Sequence, residues 1–137
     1  MHRFERHASA ASAHARAVLR IMAGLLFLEH GTSKLLGFPA SGHGPALFSL
    51  IWWSGFLELV GGLLITLGLF TRPVAFLLAG EMAAAYFLAH APRSFFPMLN
   101  GGDAAVLYCF VFLYLAAAGP GSFSLDGRLR GGTAAER

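Results

Sequence analysis

Two glutamates stand alone inside long apolar stretches of this chain: Glu58 within residues 47–70 and Glu81 within residues 73–91. A carboxylate at such a position costs on the order of 3 kcal/mol unless it is protonated, paired or wetted. Acids kept there exchange protons, accept hydrogen bonds from a ligand, or tie helices together. More polar groups gather where the apolar stretches end. Glu29, His30 and Lys34 follow the first stretch, His90 closes the third, and Asp103 opens the fourth. Lys34 suits either an anchor for a substrate or an interfacial residue reaching for water. His30 and His90 are of the type that ligates metal or haem. No Cys/His spacing supports that use, and their helix-end positions suit water-facing or acid-paired rings, so no metal site is expected. Asn100-Gly101-Gly102-Asp103 reads as a turn and helix start, with Asn100 or Asp103 capping.

The elements that must position these groups are four apolar helices. Spans are expected near residues 15–31, 48–70, 73–91 and 103–118, each close to the length that crosses a bilayer. The fold class is therefore all-α, a four-helix transmembrane bundle over residues 16–121, flanked by tails at residues 1–15 and 122–137. Arg20 lies about one turn into the first span and is expected to snorkel back to the surface. Trp52 and Trp53 sit where an interfacial aromatic belt belongs. Pro73 suits a first helical turn, and the short Thr71-Arg72 link makes spans two and three a tight antiparallel hairpin. A polar loop from Ser33 to Gly44, which includes His43, joins spans one and two. A second loop, residues 92–102, joins spans three and four.

With four crossings, both termini share a side with the Thr71-Arg72 turn. That side holds Arg3, Arg6, Arg16, Arg20, Arg72, Arg128, Arg130 and Arg137, against Lys34 and Arg93 on the other. The imbalance assigns both termini to the cytoplasm. Glu58 then lies roughly 12 Å and Glu81 roughly 15 Å from the outer edge, at a rise of about 1.5 Å per residue. The two acids converge in the outer half of the bundle, with Glu29, His30, Lys34 and Asp103 as an entrance layer. On span two, Ser54, Glu58, Gly61, Ile65 and Gly68 share a helical face. On span three, Gly80, Glu81, Ala84 and Ala85 make a similar patch of small residues around an acid.

Composition narrows the classes. In 137 residues, 56% are hydrophobic and only 12% charged, about half the charge of a soluble domain. The net charge of +3 comes mostly from arginines flanking apolar spans, a topology signal and not a nucleic-acid footprint. The single cysteine, Cys109, excludes internal dithiol chemistry and reads as a packing residue. The N-terminal segment lacks a small-x-small cleavage site and is expected to stay as the first span.

Several strings, in order, resemble the DoxX family of small membrane proteins. They are His30-Gly31-Thr32-Ser33-Lys34-Leu35, Gly55-Phe56-Leu57-Glu58-Leu59-Val60-Gly61-Gly62, Leu67-Gly68-Leu69-Phe70-Thr71-Arg72, Glu81-Met82 with His90, Asn100-Gly101-Gly102-Asp103, and Gly119-Pro120-Gly121-Ser122-Phe123-Ser124-Leu125-Asp126. The family usually carries Glu where this chain has Asp103. The resemblance implies a multi-pass protein of the bacterial inner membrane that partners soluble enzymes in oxidoreductase complexes managing oxidative and thiol stress. A related branch is linked to thiosulfate:quinone oxidoreductase. The expected function is thus a membrane subunit handling a quinone or a sulfur or thiol substrate. Glu58 and Glu81 would accept protons or hydrogen bonds, and a quinone is the cofactor class in view. The alternatives are a non-enzymatic scaffold docking soluble redox enzymes and a small proton-coupled transporter acting as a homo-oligomer. Internal symmetry that would favour the transporter is absent.

Overall fold

The computed structural model describes residues 2–39 and 44–135, and every regular element among them is helical. In order these are α1 (His2–Leu36), α2 (Leu50–Leu67), α3 (Thr71–Ala85) continuing into a π-helical turn (Tyr86–His90), the short α4 (Pro97–Asn100), α5 (Asp103–Ala118) and α6 (Leu125–Ala135). His43 of the first loop and Arg137 lie outside the described residues. Residues 10–36, α2 and residues 71–90 are long and apolar enough to cross a membrane. α5 has 16 residues, about 24 Å of helix, shorter than a full crossing of roughly 30 Å.

Two stretches expected as tails are helical. α1 begins at His2 because residues 8–15 are almost all Ala and Ser, with nothing to break a helix. α6 begins after Ser124, whose hydroxyl accepts from the Gly127 amide at 3.1 Å. α2 starts on the Ser49 hydroxyl, which accepts from the Trp52 amide at 3.2 Å. It ends in a Schellman turn, with Gly68 left-handed at φ 68° and the Leu69 amide bonded to the Leu64 carbonyl.

α1 and α2 run antiparallel in the most extensive helix contact, and α3 lies antiparallel on α5. The α2–α3 pair, expected as the tight hairpin, is packed far less. Glycines decide the partner. A Cβ on Gly62 would meet the Leu28 amide nitrogen at 2.6 Å, and one on Gly24 would meet the Thr66 nitrogen at 2.7 Å. Small residues here let two backbones touch. Gly61, by contrast, faces the Leu78 side chain of α3. On α3, Gly80 and Ala84 are exposed, and the buried face is Ala75, Leu78, Ala79, Met82 and Tyr86. The small-residue patch expected around Glu81 is therefore only partly buried, since no neighbouring helix covers Gly80. The core is apolar, with Phe27 edge-on to Phe112 at 4.9 Å between Ile65, Leu78 and Leu115. Many large apolar side chains on the outside, Phe76, Phe87 and Phe110 among them, remain exposed, as in a protein solvated by lipid.

The expected snorkelling of Arg20 does not occur. Its side chain is 0% exposed, and all five guanidinium N–H donors end on main-chain carbonyls. Nη1 donates to Ile65 and Thr66 at 2.7 and 2.6 Å, Nε to Pro120 at 2.8 Å, and Nη2 to Phe123 and Ser122 at 2.9 and 3.3 Å. The first two belong to the last turn of α2, the negative end of its dipole. Arg16 donates to the Ala118 carbonyl, and Arg72 to Ala116 and Ala117, closing the end of α5. Asp126 does the opposite job. Its Oδ1 and Oδ2 accept from the Phe70 and Thr71 amides, each at 2.8 Å, capping the start of α3. Gly68 is needed here: besides its positive φ, a Cβ would meet the Ser124 Cβ at 2.6 Å and Arg20 Nη1 at 2.9 Å.

Partial burial pushes the Asp126 carboxyl up, but the Thr71 and Phe70 amides and nearby Arg130 outweigh it and hold it below the ordinary Asp value. Its stabilising contribution is then complete above about pH 4 and is lost as pH falls through the lower folded value. Asp126→Ala should cost on the order of 1–2 kcal/mol at pH 7. The stability gap from the parent should stay constant from pH 8 to 5 and narrow only in stronger acid, as read by thermal unfolding in detergent. Arg20→Lys replaces five donors by three and leaves buried carbonyls without partners. It should cost on the order of 2–5 kcal/mol in the same assay, and an unshifted midpoint would contradict the role assigned to Arg20.

Candidate functional site

At the other end of the bundle a cavity of about 260 Å³ opens between α1, α2, α3 and α5. The α1–α2 contact sets its polar wall. Gly31 lies so close to Leu59 and Glu58 that a Cβ would collide with the main chain, and Gly55 sits against Lys34 and Leu35. Lys34 Nζ consequently reaches Glu58 Oε1 at 2.7 Å and the Ser54 hydroxyl at 2.9 Å. Glu58 is 2% exposed, and its Oε2 is buried with no hydrogen-bond donor. Lys34 is about one-third exposed, so the pair runs from the cavity mouth into the bundle.

Glu81 lies within electrostatic reach of Glu58, Ser54 and Lys34, which puts the two acids in one layer. Both its oxygens are buried, and the Ser54 hydroxyl is the donor nearest to them. It is not a lining residue of the cavity, whereas Glu58 is. His30, Lys34 and His90 line the cavity; Glu29 and Asp103 are exposed and do not. Glu29 instead stands near Tyr108, and its carbonyl accepts from the Thr32 hydroxyl at 2.9 Å. Asp103 occupies the first turn of α5, where a negative charge complements the helix dipole. Of the expected entrance layer, His30 and Lys34 line the cavity, joined there by His90.

Tyr108 of α5 lines the cavity and is not among the site residues expected from the sequence. The available signal was its hydroxyl, one of only two tyrosine hydroxyls in α5 and the one nearer the polar end. It stacks on Phe112 at 5.8 Å and meets the edge of His30 at 6.2 Å. Phe27, Met82, Ala85, Ala104 and Ala105 complete an apolar lining. A few polar groups set in apolar walls are what small-molecule sites have in common.

The roof over the cavity hangs on Asn100, 3% exposed. Its Nδ2 donates to the Ser94 carbonyl at 2.6 Å, and its Oδ1 accepts from the Gly102 amide at 2.7 Å. The Tyr86 hydroxyl donates to the Phe95 carbonyl and tethers the same loop to α3. The π turn at Tyr86–His90 adds a residue to the last helical turn and brings His90 Nδ1 to 3.2 Å from the Asn100 carbonyl. Asn100, expected as a cap, is the organiser of the whole loop.

Lys34→Met would leave the Glu58 carboxyl buried and without its cationic partner, at a cost on the order of 3–5 kcal/mol. Adding Glu58→Gln to it should recover much of that loss. A double-mutant cycle on detergent-solubilised protein checks this, and strictly additive losses would show that the two residues are not coupled.

Comparison with known proteins follows the same residues. The DoxX family model matches residues 15–91, which include Glu58, Glu81, His30, Lys34 and His90. An uncharacterized protein of Haemophilus influenzae is 44% identical over 118 residues, covering 82% of this chain and 88% of that protein. An uncharacterized membrane protein of Mycobacterium tuberculosis is 30% identical over 138 residues, covering 81% and 78%. No solved structure matches the chain.

Proposed function

Because the chain belongs to the DoxX family of membrane proteins, we propose that it is an integral subunit of an oxidoreductase complex in the bacterial inner membrane. In this reading it holds a quinone, or a sulfur or thiol substrate, in the cavity beside Lys34 and Glu58. The observation that carries the reading is the placement of Glu58: buried, half-satisfied by Lys34, and on the cavity wall with Glu81 within electrostatic reach. Acids kept inside a membrane domain mark proton or substrate pathways by default.

The chain crosses the membrane four times in this proposal, as α1, α2, the α3–π-turn helix and α5, with both termini in the cytoplasm. The antiparallel order supports it, as does the gathering of Arg16, Arg20, Arg72, Arg128 and Arg130 at one end against Lys34 and Arg93 at the other. The cavity then opens to the periplasmic side. A hydroquinone oxidised there loses two electrons and two protons. Glu58 takes each proton in turn and passes the first to Glu81 beside it, and the electrons pass to a soluble redox partner docked on the bundle. Tyr108 and His30 hold the ring.

Glu58→Gln keeps the size of the side chain and one acceptor oxygen but cannot take a proton. In vesicles carrying the native complex it should lower quinone-linked electron transfer by about 100-fold or more, while the protein still inserts and elutes as a folded species. An unchanged rate would reject the assignment.

A further inference from the structure

The arginine end of the bundle carries more positive charge than its helix termini use. Among the described side chains, Arg16, Arg20, Arg72, Arg128 and Arg130 gather there against a single carboxylate, Asp126. Arg20 is buried with every donor engaged, and Asp126 is spent on the Phe70 and Thr71 amides. Arg130 stands within electrostatic reach of Asp126. Arg72 and Arg128 are exposed. Arg72 donates to Ala116 and Ala117 through Nη1 alone. Its Nε–Nη2 edge is a planar pair of N–H donors, the geometry that matches two oxygens of one phosphate. The main chain keeps that edge clear. A Cβ on Gly119 would meet Nη2 at 3.1 Å and Nε at 3.4 Å. Gly119 also has φ 85°, which glycine takes without strain, so the fold holds a residue without a side chain against the fork.

We propose that this end docks on the phosphate groups of anionic phospholipids, with the Nε–Nη2 edge of Arg72 and the guanidinium of Arg128 as the headgroup contacts. This surface is independent of the cavity and of the function proposed for it. Apolar neighbours favour a lipid over a free phosphate or an acidic protein. Phe70, Phe123 and Leu129, the last flanked by Arg128 and Arg130, are large and exposed. They continue the exposed apolar surface of Leu67 on α2 and Phe76 on α3, which suits lipid. A free phosphate has no use for such side chains.

Depth agrees. Phe70 and Thr71 lie at the turn between two helices of membrane-crossing length, and Arg72 reaches the last carbonyls of α5. Span ends meet the headgroups, so the guanidinium groups stand at phosphate level beside side chains that can enter the acyl region. α6 is fixed at the same level. The Asp126 amide donates to the Gly68 carbonyl at 2.9 Å while its carboxylate caps α3, which holds Arg128 in the first turn of α6 close to this boundary. Arginines beside exposed Leu and Phe make an interfacial segment, and each basic residue adds to the attraction for an anionic surface. A zwitterionic choline headgroup brings its own cation, which the excess of guanidinium groups repels.

The test uses the full chain in dodecyl maltoside, mixed with equimolar phosphatidylglycerol and phosphatidylcholine of identical acyl chains and read by native mass spectrometry. Phosphatidylglycerol should be retained at least about tenfold over phosphatidylcholine. Arg72→Lys keeps the charge and loses the fork, and Arg128→Gln loses a charge. Each should cut that ratio by about fivefold, whereas Arg93→Gln at the opposite end should leave it unchanged. If Arg72→Lys does not elute as a folded species, Arg128→Gln, on the exposed surface of α6, carries the test. Neither millimolar inorganic phosphate nor polyglutamate should displace the bound lipid. Equal retention of the two lipids, or a ratio that both variants leave intact, would overturn the proposal. Displacement by phosphate would make this a site for a soluble oxyanion, displacement by polyglutamate a surface for an acidic protein, and either would also overturn it.

Discussion

The backbone contact between α1 and α2 is the constraint on which the rest of the structure depends. Gly24, Gly31 and Gly62 remove the side chains that would hold the two helices apart. In lipid there is no hydrophobic gain from pressing two apolar helices together, so close packing and polar contacts must supply the attraction. Once the backbones touch, the register is set. Lys34 then falls beside Glu58 at one end, and Arg20 falls beside the last carbonyls of α2 at the other. Both polar clusters are consequences of one apolar, glycine-lined seam.

The two ends use charge in opposite ways. At the arginine end four formal charges answer helix termini: Arg20 the end of α2, Arg16 and Arg72 the end of α5, Asp126 the start of α3. Arg20 leaves no guanidinium donor unused. That end is closed, and the loop of residues 119–124 is wrapped into it as a source of carbonyls. At the Lys34 end the bonding is incomplete. Glu58 keeps one bare oxygen and Glu81 two, and a cavity lies against Glu58. Among the buried side-chain atoms of the described residues, the arginine end leaves only Arg16 Nε and the Thr71 hydroxyl without partners, whereas the open atoms at the other end are carboxylate oxygens beside a cavity.

The loop of residues 91–102 belongs to the candidate site as much as the helices do. The π turn displaces His90 from the position a regular helix would give it, and Asn100 and Tyr86 hold the loop on which the cavity roof is built. Irregular backbone inside a membrane protein is tolerated where it lines a cavity and its polar groups find partners, as these do.

Hydrophobic length, the isolated acids and the clustering of polar residues at span ends were legible from residue order alone. So were the all-helical class, the family, and the meeting of Glu58, Glu81, Lys34, His30 and His90 in one layer. Helical rise converts residue number into depth, and depth is a one-dimensional quantity that a sequence carries. Which way a helix turns its polar groups is not. The burial of Arg20, the exposure of Glu29, Asp103 and Gly80, the pairing of α1 with α2 over α2 with α3, and the entry of Tyr108 into the cavity all depend on azimuth. Azimuth is decided by which neighbour can approach, and that is known only when glycines on one helix meet backbone on another. The sequence therefore determined the layers of this protein, and tertiary packing decided which residues within each layer face one another.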